Sequence, residues 1–369
     1  MSGPWHARAA FLEQGRVLLA LAAAAGPPAL SRLALAAAGS ARVDERTLGG
    51  APATVFCPIR GRGRWPAALV VPGVTRAGRH HPALVRLGRG LAAAGYLVFV
   101  VEPEGLTRGE LTPLVLERVK AAALAAAEHP RARGGAVALA GVSAGGTLAL
   151  LAAALPEVRE NVSAVVALAP CCDVVEAIRL VSTGTYRAGE AVTRYEPGDF
   201  FKLVIARSTV AWLEEGPDRE ALRDRLLALP EYGPDPLGIL RSWPRERLAP
   251  PARAVVELLA NRDPVCFGTL YAALPASLRE AAEALSPVCA ADRIAAPVEL
   301  VAARADKYLP LADARAFAAR CPRVRLTVLD TLAHAVPSLD AGAASDLLRL
   351  DRALVRALLA VRAASYSVR

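Results

Sequence analysis

The chain has 369 residues, 54% apolar and 21% charged, which excludes a disordered polypeptide and leaves room for one large α/β domain with an insertion, or for two domains. A net charge of +9 invites a nucleic-acid reading. The basic residues are almost all arginine and scattered, and the densest cluster, Arg60-Gly61-Arg62-Gly63-Arg64, has no interleaved aromatics, so no nucleic-acid partner is expected. Cys57, Cys171, Cys172, Cys266, Cys289 and Cys321 form no C-x-x-C pair and have no histidine at ligand spacing. Neither a metal site nor a disulfide framework is expected, and the reducing cytoplasm is the default compartment.

Residues 1–41 read as an N-terminal helical extension. The uncharged run Val17 to Ser31 is shorter than the roughly 20 apolar residues a spanning helix needs, and it contains Pro27-Pro28. Packing on the main domain is favoured, with peripheral membrane contact second and a cleaved signal, or export through this segment, third. Two strand-like runs follow, around 42–48 and 52–58. Ala67 to Val71 reads as a buried strand ending in Pro72-Gly73. A helix near 83–94, a strand at 96–101 and a helix opened by Thr112-Pro113 come next.

The run Ala136 to Ala140 leads into Gly141-Val142-Ser143-Ala144-Gly145, then a helix stopped by Pro156. A serine on so sharp a strand-to-helix turn needs nearly side-chain-free neighbours, and the turn aims a helix N-terminus at Oγ. A strand at 162–168 follows, and the alternation predicts a mostly parallel sheet covered by helices on both faces. From Cys171 to about Leu285 the pattern turns helical. It then resumes as strand 297–302, helix 311–320, strand 323–329 and a closing helix around 341–363. The expected organisation is an α/β core of residues 42–170 and 291–369 with a helical cap of residues 171–290 inserted between strands. Residues 171–290 hold half the aromatic residues, among them Tyr186, Tyr195, Phe200, Phe201, Trp212 and Tyr232, which line an apolar pocket or form the cap's own core.

A serine hydroxyl needs a base, and the base an orienting acid. Of five histidines, His6 lies in the leader and His129 ends a helix. His80 and His81 follow the Val71 strand, and His334 lies in the loop after the last strand. Loops at the carboxyl ends of parallel strands converge on one site, which favours His334. The same logic favours Asp306, after the 297–302 strand, with Asp173 as the rival; Asp330 is too close to His334 in sequence. The Ala144 amide and, more softly, the Val74 amide are the expected oxyanion donors.

With Ser143, Asp306 and His334 in that chain order, residues 42–365 resemble the α/β-hydrolase superfamily. Pro72-Gly73-Val74 stands where many members carry His-Gly, and the Gly-Gly-Gly variant of some lipases and esterases is absent. Glu102-Pro103-Glu104-Gly105 replaces a common Asp. Dienelactone hydrolases look similar around the sheet but usually carry a cysteine nucleophile. The resemblance implies hydrolysis through an acyl-enzyme without a cofactor. The expected activity is a serine hydrolase cleaving carboxylic esters of moderately apolar small molecules. The alternatives are a thioesterase, acyltransferase or peptidase, or a non-catalytic binding protein of the same fold. The oligomeric state is left open.

Overall fold

The computed structural model describes residue 15 and residues 41–59, 63–189, 191–334, 336–337 and 343–367. The expected N-terminal helical extension lies outside the described residues, save Gly15 and Ala41. The centre is an eight-stranded sheet in the order β1-β2-β4-β3-β5-β6-β9-β10. Its strands are β1 (Ala41–Leu48), β2 (Ala51–Pro58), β3 (Trp65–Val71), β4 (Leu97–Val101), β5 (Ala132–Val142), β6 (Val162–Leu168), β9 (Val298–Ala303) and β10 (Val324–Leu329). β2 pairs antiparallel with both β1 and β4, and every other pairing is parallel. The leading hairpin closes one edge, and the six strands from β4 to β10 form the predicted parallel sheet.

The central strands are apolar throughout because both faces are covered. Side chains alternate across a strand, so Leu97, Phe99 and Val101 of β4 join Leu69, Val71, Val137 and Leu139 in the largest core. That core includes the helices Pro113–Ala127 and Ala144–Ala154. Val98 and Val100 point the other way, with Val70, onto the helices Pro82–Ala93 and Ala343–Ser367. Thr112 caps the Pro113 helix, its hydroxyl accepting from the Val115 amide at 3.3 Å. Glu299 on β9 holds the last helix through two 2.6 Å bonds from Arg356.

Between β6 and β9 the chain leaves the sheet for the helices Val174–Thr183, Asp199–Ala211, Pro217–Leu227, Pro250–Ala260 and Ala276–Ala284, with shorter helical turns. This segment is not wholly helical as the sequence predicts. Gly184, at φ 66°, ends the first helix, and Thr185–Ala188 (β7) pairs antiparallel with Ala191–Arg194 (β8). The signal was a left-handed glycine stop followed by Thr-Tyr and a second glycine, Gly189, at φ 64°. A two-residue pair, Leu332–Ala333 (β11) with Val336–Pro337 (β12), brackets the last histidine. Among the described residues no helix is long and apolar enough to cross a membrane.

Candidate active site

The turn after β5 is as tight as its glycines demand. Ser143 sits at φ 53°, ψ −125°, a conformation that L-residues with a Cβ rarely adopt. A Cβ on Gly141 would lie 2.1 Å from the Gly145 carbonyl oxygen, and one on Gly145 would lie 2.1 Å from that of Val71. Both glycines are therefore required by backbone packed against backbone. The Ser143 amide donates to the Leu168 carbonyl at 2.8 Å, and its carbonyl accepts from the Thr147 amide at 3.1 Å, so sheet and helix grip the strained residue from both sides.

Ala144 is the first residue of the helix Ala144–Ala154, where amides have no intrahelical acceptor. The turn after β3 reaches the same place, since a Cβ on Gly73 would lie 3.4 Å from the Ser143 Cβ. Val74 and Ala144 both line the pocket that contains Ser143.

His334 lies beyond β10 and is buried at 6% exposure, with a left-handed φ of 63°. Its Nδ1 lies 2.9 Å and 3.1 Å from the two carboxylate oxygens of Asp306. Asp306, itself 9% exposed, also accepts from the amides of Tyr308 at 2.8 Å and Leu309 at 3.3 Å. The carboxylate is thus oriented by its own loop before it meets the imidazole. The opposite nitrogen, Nε2, is buried and has no hydrogen-bond partner among the described residues. Ser143 and His334 are not hydrogen-bonded to each other; Tyr308 lines the Ser143 pocket and stands edge-on to the imidazole, with ring centres 4.6 Å apart.

The rivals are engaged elsewhere. Asp173 caps the helix Val174–Thr183 by accepting from the Glu176 amide at 3.0 Å, and burial raises its carboxyl. Asp330 is exposed and paired with Arg304 and Arg349. Arg304 thus pairs with Asp330 and not with Asp306. His80 and His81 are exposed at the start of the helix Pro82–Ala93. His129 packs edge-on against Phe99 at 5.2 Å.

Three supporting residues escaped the sequence reading. Tyr195, just past β8, donates its hydroxyl to the Asp306 carbonyl and lies 3.3 Å from the Leu309 carbonyl. The inserted segment thereby braces the loop that holds the acid, and burial pushes the Tyr195 phenol up to about 12. Asp346, on the last helix, accepts from the Asp330 and Thr331 amides and from the Thr331 hydroxyl at 2.6–2.9 Å, anchoring the chain three residues before His334. Asp313, in the first turn of the helix Leu311–Arg320, accepts from the Cys172 and Asp173 amides at 2.8 and 3.1 Å. It pins the point where the insertion leaves the sheet. Each contact spans distant parts of the chain, so no local pattern announces it.

The pocket wall is one helix face. Phe200, Val204, Ser208 and Trp212, with Phe201, Ile205 and Thr209 beside them, line it at intervals of four residues. That spacing is readable in the sequence. The wall's polar groups are already engaged: Ser208 Oγ accepts from the Leu111 amide at 2.9 Å, and Trp212 Nε1 donates to the Leu111 carbonyl at 2.7 Å. The Thr147 hydroxyl bonds both the amide and the carbonyl of Cys171. No group of three or more potential metal-binding side chains occurs among the described residues.

No protein-family model matches the sequence, and no curated protein does. Solved structures are similar in fold. A puromycin-hydrolyzing peptidase of Mycobacterium tuberculosis aligns at a TM-score of 0.51 and 17% identity, over 85% of this chain and 38% of that one. The acylaminoacyl peptidase of Pyrococcus horikoshii aligns at 0.51 and 12%, over 88% and 41%. Est1E from Butyrivibrio proteoclasticus aligns at 0.49 and 14%, over 88% of this chain and 100% of that one. The chain spans less than half the length of the two peptidases. Its fold is the α/β-hydrolase fold.

Proposed function

We propose that this α/β-hydrolase-fold protein is a serine hydrolase that cleaves carboxylic esters of moderately apolar small molecules. The observation that carries the reading is His334, buried, with one nitrogen on Asp306 and the other without a partner, beside a pocket that opens on a strained serine. Burying an imidazole nitrogen without a partner is costly in a merely structural role. A base poised to take the Ser143 proton when substrate binds accounts for it.

In this mechanism Ser143 Oγ forms a bond to the ester carbonyl carbon while its proton passes to His334 Nε2. The carbonyl electron pair moves to oxygen, and the Val74 and Ala144 amides donate to that oxyanion, each worth about 3–4 kcal/mol of the barrier. Asp306 holds the imidazole so that Nδ1 keeps its proton, and stabilises the imidazolium. Collapse breaks the carbon–oxygen bond to the alcohol, which takes the proton from Nε2 and leaves an acyl-serine. Water then repeats the sequence in place of Ser143, releasing the carboxylic acid and restoring the hydroxyl.

Oxyesters are favoured over amides because the wall's polar groups are bonded to the protein itself, leaving little to hold a peptide backbone. The six cysteines are unpaired, which suits a reducing compartment such as the cytoplasm. The test compares Ser143→Ala with the unaltered protein on p-nitrophenyl acetate, a matched thioester and a matched anilide. The oxyester is expected to be cleaved fastest, with a loss of at least ~10⁴-fold in the variant and fluorophosphonate labelling of Ser143. Undiminished turnover by Ser143→Ala sinks the mechanism, and faster anilide cleavage sinks the ester preference.

A further inference from the structure

The pocket at Ser143 has two unlike sets of lining residues. One is buried and carries no ring: Ile205, Thr209 and Leu285.

The other set belongs to a row of aromatic rings leading outward from His334. Tyr308 is edge-on to the imidazole at 4.6 Å. Phe200 tilts against Tyr308 at 6.2 Å, and Tyr232 stacks on Phe200 at 5.5 Å with 27° between the ring planes. Phe200 lines the pocket and is half-buried, whereas Tyr232 is 79% exposed. So large an exposed ring contributes little to the core, yet it is stacked on Phe200, a residue of the pocket lining. Arg76 and Glu231 pair with each other at 2.7 Å, and the Lys307 ammonium lies over the Tyr308 ring, 4.8 Å from its centre, so the row offers π-faces with one cation at its Tyr308 end.

We infer that the alcohol half of the substrate is a flat aromatic group lying against the Phe200–Tyr232 ring pair, so that the substrate class is esters of aromatic alcohols. This rests on the hydrolase reading, because His334 must protonate the departing oxygen, which places the alcohol on the Tyr308 side. The acyl group takes the part of the pocket lined by Ile205, Thr209 and Leu285. The aromatic ring replaces water on the exposed faces of Phe200 and Tyr232.

The experiment compares benzyl acetate with cyclohexylmethyl acetate, which have leaving groups of like reactivity and size but differ in flatness. The unaltered protein is expected to favour the benzyl ester in kcat/KM by about fivefold, the scale of one aromatic pair. In Tyr232→Ala the ratio falls to about one, and in Tyr232→Phe it is restored. Val265→Ala, at an equally exposed position outside the site, keeps the ratio of the unaltered protein. Equal turnover of both esters by the unaltered protein, or a ratio that survives Tyr232→Ala, overturns the role of the ring pair while leaving the hydrolase reading intact. No turnover of either ester, with no fluorophosphonate label on Ser143, overturns both.

Discussion

The sheet and the segment inserted after β6 solve different problems with the same apolar residues. In the sheet, Leu97–Val101 is buried along its whole length, and alternate residues serve two cores, so a one-residue slip would exchange both faces at once. That parallel pairing puts the loops that carry Ser143, Asp306 and His334 beyond the carboxyl ends of β5, β9 and β10. In the inserted segment, the helix Asp199–Ala211 is buried nearly all round and lines the pocket with Phe200, Val204 and Ser208. The first region is built to hold atoms still. The second is built to be a wall. The two meet at several seams, among them Tyr195 on the Asp306 loop, Asp313 on the Cys172–Asp173 turn, and Ser208 and Trp212 on Leu111.

The severest challenge to this division is the identity of the acid. Asp306→Asn is expected to lower kcat by about 10⁴-fold, since an amide favours the wrong imidazole tautomer. Asp173→Asn should stay within about threefold, because Asn caps a helix as well as Asp does. Steady-state kinetics on p-nitrophenyl acetate decide it. The reverse outcome would put chemistry in the inserted segment and break the contrast.

A smaller effect sharpens the first seam. Tyr195→Phe keeps the ring but removes the hydroxyl that braces the Asp306 carbonyl. We expect kcat to fall about five- to tenfold, the scale of one hydrogen bond, with KM unchanged. If kcat holds and only KM rises, Tyr195 belongs to the wall alone.

A different effect, on stability rather than rate, lies at the second seam. Burial raises the Asp313 carboxyl from its ordinary 3.8 to about 7. The folded state therefore binds more protons than the unfolded chain between about pH 4 and 7, and this residue's contribution to stability falls as pH rises through that window. Asp313→Asn cannot ionise, so its melting temperature relative to the unaltered protein should rise between pH 4.5 and 7.5. A constant difference across that range would mean the carboxyl titrates normally.

Much of the fold was legible because its signals are local. Continuous apolar runs marked the strands, Thr112-Pro113 marked a helix start, and Gly141 and Gly145 marked a backbone crossing that admits no side chain. The β7–β8 hairpin was missed because four-residue strands carry too short a period to stand out against helical neighbours. Chain order placed Asp306 and His334 at strand ends, where a parallel sheet gathers its loops. Tyr308 was invisible as a neighbour of His334, although it lies two residues from Asp306, because a ring's direction depends on what it packs against.

By itself the sequence determined the alternation of strands and helices, the strained serine turn and the short list of residues able to serve it, since each follows from sterics and periodicity within a few residues. Only the tertiary structure decided that Asp306 rather than Asp173 meets His334, that Tyr195 and Asp313 fasten the inserted segment to the core, and that an aromatic row leads out from the imidazole. Those are contacts between residues far apart in the chain, and their partners are chosen by packing.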